Sequence, residues 1–317
     1  MSKTKIEWAT DTWNPTTGCD RVSPGCDNCY ALGMAKRLKA MGQPDYQTDG
    51  DPKTSGPGFG IATHPHRLDQ PLRWKKPRKV FVNSMSDLFH VGVPVEHLAQ
   101  VFAVMSKAPQ HTFQILTKRH ARMRAILNAH WFRALVDDYR GKDAGDFQWP
   151  LPNVWLGVSV EDQKWADIRI PALLDTPAAV RFLSCEPLLG PVSLFDSTKI
   201  DTGTLVDWVI VGGESGHGAR PMHPDWARQL RYECTTYGIP FLFKQWGNWE
   251  PLAPVMTRPG DLALHSDGSS IVLGPEIFEG IEFRRRREMY AMRNVGKHAA
   301  GRELDGRTWD QYPAVAS

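Results

Sequence analysis

A chain of 317 residues with 41% apolar and 23% charged residues has the composition of an ordinary globular protein, long enough for one large domain or two small ones. The formal net charge of +3 is too small to establish a polyanionic partner. No apolar stretch approaches the roughly 20 residues that span a bilayer, and Met1-Ser2-Lys3-Thr4-Lys5-Ile6-Glu7 lacks the apolar run of a signal peptide, so a cytoplasmic location without a membrane partner is expected.

Residues 8–18 carry Trp8, Trp13 and Asn14-Pro15 and predict a short first strand running into a cysteine loop. Leu32, Ala35, Leu38 and Met41 recur at helical spacing and predict a helix from Tyr30 to Met41, closed by Gly42. Residues 43–79, rich in Gly, Pro, Asp and Lys, read as an irregular insertion. Its His64-Pro65-His66 reads as a solvated pair. From residue 80 a regular alternation begins. Strands are expected at 80–84, 112–117, 154–160, 180–185, 208–212 and 241–244, with helices at 95–107, 119–137, 162–174 and 224–237. Residues 186–206 read as loop, because Pro187, Gly190, Pro191 and Gly203 interrupt any helix. Residues 248–283 read as irregular, with a hairpin near Ile271. Short apolar strands alternating with helices argue for an α/β fold with a parallel sheet, closed as a partial or complete (β/α) barrel over residues 1–247. Residues 248–317 form an irregular C-terminal extension in this reading.

Three of the five cysteines fall within eleven residues, as Cys19-x6-Cys26-x2-Cys29. Thiolates this close suit one metal centre. Three of them leave a coordination position open, and a [4Fe–4S] cluster on three cysteines has one iron free for another ligand. The alternatives are zinc completed by a histidine such as His64 or His90, or simple buried thiols. A disulfide framework is not expected from an odd count in a long chain. Cys185 and Cys234 lie in apolar surroundings and read as core.

The cysteine loop resembles the one that opens radical S-adenosylmethionine (SAM) enzymes. More closely, the chain resembles a phage-associated, largely uncharacterised three-cysteine-motif family. Trp13-Asn14-Pro15, Asn83-Ser84-Met85-Ser86-Asp87-Leu88-Phe89 and Gly306-Arg307-Thr308-Trp309 carry that resemblance over nearly the whole length. Two departures from the radical SAM pattern are visible. The first spacing is six residues rather than three, and Asn28 precedes the last cysteine where an aromatic is usual. The resemblance implies a radical SAM type barrel and a cluster held by Cys19, Cys26 and Cys29. It also implies SAM on the open iron, a flavodoxin- or ferredoxin-type electron donor, and a 5′-deoxyadenosyl radical that abstracts hydrogen from substrate.

In a parallel barrel, chemistry gathers at the C-terminal strand ends. Polar residues recur there, and six such ends in a row argue for a shared pocket. Ser84, Ser86, Asp87, Ser159, Glu161, Glu186, Gly212, Gly213 and Glu214 are candidate cofactor contacts. Gly212 and Gly213 would permit close backbone approach to a ligand. In radical SAM enzymes a Gly-Gly-Glu stretch follows the second strand, whereas here it follows the sixth. Lys118, Lys244 and Gln245 are candidate catalytic residues, the lysines able to pair with a carboxylate or phosphate.

From Arg284 to Arg307 eight basic residues face three acids, a net +5 in 24 residues. The run Arg284, Arg285, Arg286 and Arg287 suits a nucleic-acid backbone or, equally, a solvated basic face. The expected function is a radical SAM-like enzyme modifying or repairing a nucleic acid or nucleotide. The alternatives are a non-catalytic, metal-stabilised nucleic-acid-binding protein and a radical SAM enzyme acting on a peptide or small metabolite.

Overall fold

The computed structural model describes Thr4 and residues 6–195, 206–252, 257–274 and 289–314. Its strands are β1 (Asp11–Trp13), β2 (Thr16–Thr17), β3 (Ala62–Thr63), β4 (Lys79–Val82), β5 (Thr112–Thr117), β6 (Val154–Ser159), β7 (Val180–Cys185), β8 (Trp208–Gly212), β9 (Phe241–Gln245), β10 (Trp249–Leu252), β11 (Leu262–His265), β12 (Ser270–Val272) and β13 (Met289–Asn294). The helices are α1 (Tyr30–Ala40), α2 (Val95–Ser106), α3 (His120–Leu127), α4 (His130–Arg140), α5 (Gln163–Leu174), α6 (Pro224–Thr236) and α7 (Lys297–Ala300).

Seven strands form one sheet in the order β1-β4-β5-β6-β7-β8-β9. The β1–β4, β4–β5, β5–β6 and β8–β9 pairs are parallel. The fold is therefore mixed α/β, and a sheet with two edges is compatible with a partial β/α barrel rather than a complete one. The expected strand and helix alternation is present, with one difference. The segment expected as one helix over 119–137 is two helices, because the chain is extended at Ala129 (ψ 124°). Asn128 sits at the break and its Nδ2 donates to the carbonyls of Arg124 at 3.0 Å and Asp175 at 2.9 Å. Asparagine competes with the helical backbone for such bonds and favours helix ends.

By contact the chain falls into two compact units, residues 1–159 with 171–182, and residues 160–170 with 183–317. In the first, the register sets Phe81 beside Gln114 and Gln114 beside Trp155 on one face of the sheet. Trp8 packs edge-on to Phe81, with ring centroids 4.7 Å apart. A Cβ at Gly157 would lie 2.4 Å from the Phe182 ring, so only glycine fits beside that ring on this face. Helix α2 buries Leu98, Val101, Phe102 and Met105, the face its periodicity forecast, and Phe102 meets Phe132 of α4 at 5.6 Å. Burying one such aromatic or leucine side chain stabilises the fold by about 1.5–3 kcal/mol.

In the second unit, α6 starts at Pro224 with the His223 side chain accepting from the Asp225 amide at 3.2 Å, and it buries Trp226, Ala227, Leu230 and Cys234. Beyond 247 the chain is more regular than its composition suggests. β10, β13, β11 and β12 make an antiparallel four-stranded sheet in that order, and Ile271 lies in the expected hairpin of β11 and β12. The chain then returns along β9. The Phe243 amide donates to the Trp309 carbonyl at 2.9 Å and the Gln311 amide to the Phe241 carbonyl at 3.2 Å, which satisfies an edge that would otherwise be open. Arg284, Arg285, Arg286 and Arg287 lie outside the described residues.

Candidate metal and cofactor site

The cysteine loop is built between β2 and α1. Gly18 turns the chain with φ 88°, and a Cβ there would lie 2.1 Å from the Gly60 carbonyl oxygen, so this position admits only glycine. Its amide donates to the Met85 carbonyl at 3.0 Å, tying the loop to the segment after β4. Cys19 follows directly. Cys26 ends a single helical turn, and Cys29 is the residue at which α1 begins. Cys19 and Cys29 pack against a small apolar cluster of Ala31, Ala35, Tyr46, Phe59 and Met85.

None of the three thiols is in a disulfide. Burial pushes the Cys19 thiol up to about 12, with the Asp87 carboxylate adding to the rise and Arg119 opposing it. Burial also raises Cys29, opposed by backbone hydrogen bonds and by the charge of Lys118. Each of these two thiols is further disfavoured as a thiolate by Cys26. Cys26 is in electrostatic range of both other thiols, and with Arg119 and Lys118 beside them the three make a donor set of the kind soft metals take. Arg119 offers an additional fit. Its Nη2 donates to the Asp20 carbonyl at 3.1 Å, while its buried Nε–H has no hydrogen-bond partner. A cluster sulfide is an acceptor such a donor suits.

The cysteine sulfurs are not gathered as one tetrahedral zinc would hold them. Thiolates on one tetrahedral zinc lie about 3.8 Å apart. Among the described residues, the only trio of His, Cys, Asp or Glu with ligand atoms within 4.8 Å of one another contains no cysteine. A cluster seats each thiolate on its own iron and accepts wider spacing. The histidines expected as zinc partners are also engaged. His90 Nδ1 accepts from the Gly92 amide at 3.0 Å and its Nε2 donates to Asp20 Oδ2 at 2.9 Å. His64 lies 2.9 Å from Thr17 Oγ1 through Nε2 and 3.2 Å from Asp45 Oδ1 through Nδ1. It is buried, not solvated as its loop position suggests, and burial pushes its imidazole down to about 4. His66 is the exposed member of that pair.

The polar residues after β4 and β5, and Ser159 at the end of β6, belong to the first unit. Asp87 is saturated, accepting from Thr117 Oγ1 at 2.7 Å and from the amides of Lys118 at 2.9 Å and Phe89 at 3.0 Å. It joins the end of β5 to the loop after β4. Ser86 Oγ and Thr16 Oγ1 are 2.8 Å apart, and Ser84 Oγ donates to Asn14 Oδ1 at 3.2 Å. These serines hold the cysteine loop and the Asn14 segment in place. Lys118 Nζ lies 3.3 Å from Ser159 Oγ. Asn83, in the left-handed region at φ 64°, donates to Thr16 and has a buried Oδ1 without a partner. The sequence places Asn83 and Arg119 among the polar strand-end residues but gives neither a role. An asparagine directly after an apolar strand, and a second cation beside Lys118, were the available signals.

The second unit gathers the others. Glu161 and Arg169 are both fully buried and paired at 2.7 Å, so this carboxylate is committed to the core. Glu186 accepts from Lys244 Nζ at 2.7 and 2.9 Å and from Gln245 Nε2 at 3.2 Å, beside Gly212. A Cβ at Gly213 would lie 2.0 Å from the Trp246 carbonyl oxygen, so the space there is filled by the chain's own backbone. Glu214 holds Arg220 through both carboxylate oxygens, at 2.6 and 2.8 Å. Cys185 and Cys234 are fully buried, as their surroundings suggested. Of the basic C-terminal segment, Arg293 pairs with Asp261, Arg302 with Asp310, and Arg307 lies 3.5 Å over the Trp309 ring. No helix among the described residues is long and apolar enough to cross a membrane.

No curated protein and no solved structure matches the chain. One family model does, over residues 3–313, and that span places the chain in the family described as protein of unknown function DUF5131.

Proposed function

We propose that the chain is a radical SAM-type enzyme, with Cys19, Cys26 and Cys29 as the cluster ligands. The observation that carries this reading is the loop itself: three uncrosslinked, partly buried thiols on one short segment beside Arg119 and Lys118. Bound there with SAM, a [4Fe–4S] cluster supplies one-electron cleavage of the sulfonium and hydrogen abstraction from substrate. The chain's own residues do the rest. Gly18 and Asp87 fix the loop, Arg119 and Lys118 offset the negative charge of three thiolates, and the apolar cluster around Ala35 and Met85 limits water. Lys118, which lies 3.3 Å from Ser159, and Arg119 are the side chains that would orient a bound cofactor. Glu186, Lys244 and Gln245 form a separate polar group in the second unit, paired with one another.

The proposed substrate is a nucleic acid or nucleotide, supported by the run Arg284–Arg287 in the sequence. The other described basic residues named above are engaged within the chain, so this support rests on those four. The test is anaerobic purification, reconstitution with iron and sulfide, and addition of SAM and dithionite. Formation of 5′-deoxyadenosine, abolished by Cys26→Ala, is the expected result. A reconstituted protein that holds iron but never cleaves SAM would overturn the enzyme reading. Salt-dependent binding to single- or double-stranded DNA, lost when Arg284–Arg287 are replaced by glutamine, is expected for the substrate. Binding unaffected by that change would remove the nucleic-acid assignment.

A further inference from the structure

The trio of ligating side chains held at close range is Asp45, His64 and His66. It is assembled by the β2–β3 pair, in which Thr17 faces Ala62 and Thr16 faces Thr63, so that His64 emerges next to Thr17. The hydrogen bonds around His64 are consistent with a proton on Nε2. Thr17 has one hydroxyl proton and donates it to the Asp45 carbonyl at 3.2 Å. In that assignment the imidazole donates the contact of 2.9 Å between His64 Nε2 and Thr17 Oγ1. A neutral imidazole protonated at Nε2 turns a lone pair at Nδ1 toward Asp45 Oδ1, 3.2 Å away. His66 Nε2 stands 3.6 Å from the same oxygen. With the proton on Nε2, two nitrogen lone pairs and a carboxylate oxygen converge, an arrangement that a cation would satisfy.

The spacing suits a metal. Nitrogen and oxygen ligands about 2.0–2.1 Å from a tetrahedral zinc lie roughly 3.4 Å from each other, and the two distances to Asp45 Oδ1 bracket that value. The outer contacts are those of a supported site. Thr17 accepts the distal N–H of His64, and Arg67 occupies the second carboxylate oxygen of Asp45 and leaves Oδ1 for the ion. We propose that Asp45, His64 and His66 bind one divalent transition ion of the zinc class, with a remaining position open to water on the exposed His66 side. Imidazole and carboxylate donors select this class over calcium or magnesium. The ion would tie Asp45 to the His64–His66 turn within the 43–79 segment, beside β2, which ends two residues before Cys19. This inference does not rest on the cluster reading, since it uses none of the cysteines.

The test uses the full chain, stripped with chelator and dialysed against cobalt(II) or zinc(II), together with Cys26→Ala, His66→Ala and His66→Cys. One cobalt per chain is expected in the Cys26→Ala protein, with ligand-field bands in the visible region. The His66 side chain is 64% exposed, so its removal spares the fold. His66→Ala is expected to weaken binding at least tenfold, and His66→Cys to restore it with a new thiolate-to-cobalt charge-transfer band. Failure of the Cys26→Ala chain to retain either metal, or an affinity unchanged in His66→Ala, would overturn the proposal.

Discussion

The cysteine loop of the first unit and the glutamates of the second handle buried charge in opposite ways. Glu161, Glu186 and Glu214 each meet a cation of their own: Arg169, Lys244 and Arg220. Their charges are balanced within the chain, and little is left over for a ligand. At Cys19 and Cys29, burial makes the thiolate costly, and Arg119 and Lys118 only partly oppose that cost. One region is closed by its own side chains; the other leaves thiols whose ionisation costs more than the neighbouring cations return. Under the proposed function, the cysteine loop rather than the acidic strand ends is where a cofactor would contribute most.

The sharpest way to break this contrast is to remove a thiol. Cys26→Ala should abolish iron–sulfur absorbance and 5′-deoxyadenosine formation after reconstitution, while a Glu214→Gln protein still assembles its cluster. The next largest effect falls on stability. Glu161→Ala strands the Arg169 guanidinium in the core and should cost about 3–5 kcal/mol in urea unfolding. The double change Glu161→Leu with Arg169→Met should recover most of that loss, because both charges leave together. Gly18→Ala forces a Cβ toward the Gly60 carbonyl at positive φ, and should lower stability by roughly 1–3 kcal/mol and reduce iron per chain. Unchanged iron content would show that the loop geometry is not what seats the cluster. The smallest effect concerns acid. Hydrogen bonds from Arg228, and then from Arg231, hold the Asp305 carboxyl below its ordinary range. Its stabilisation is therefore present above the unfolded carboxylate value near 3.8 and fades as pH falls below that. Asp305→Asn, which tolerates the φ of 53° at that position, should flatten this limb by less than about 1 kcal/mol, since the pair is half exposed and screened.

The parallel strands were readable in the sequence because both their faces are buried. Val80-Phe81-Val82 and Trp208-Val209-Ile210-Val211 are apolar runs bounded by polar or glycine residues, a pattern that depends little on context. The antiparallel sheet was not readable. β13 is Met-Tyr-Ala-Met-Arg-Asn, with two methionines and no β-branched residue, and only its pairing with β10 and β11 makes it a strand. The cysteines announced themselves by spacing. The acidic strand ends announced themselves too, but their partners did not. Arg169 is eight residues from Glu161 and Lys244 fifty-eight from Glu186, and no local pattern links such pairs. The same holds for Asp45 and His64, which the β2–β3 pairing brings together. His64-Pro65-His66 was visible, but a loop histidine reads as solvated until the fold shows which one is buried.

The return of the chain along β9 has a consequence for biosynthesis. Gln311 follows Phe241 by seventy residues, yet both its backbone and its side chain bond to that residue. During translation β9 emerges with one flank unpaired and waits for the whole antiparallel sheet to be made before its neighbour arrives. A strand in that position is the part of the nascent chain most open to pairing with another molecule. Ribosome-bound intermediates stalled between β9 and Trp309 are the ones on which chaperones should be found.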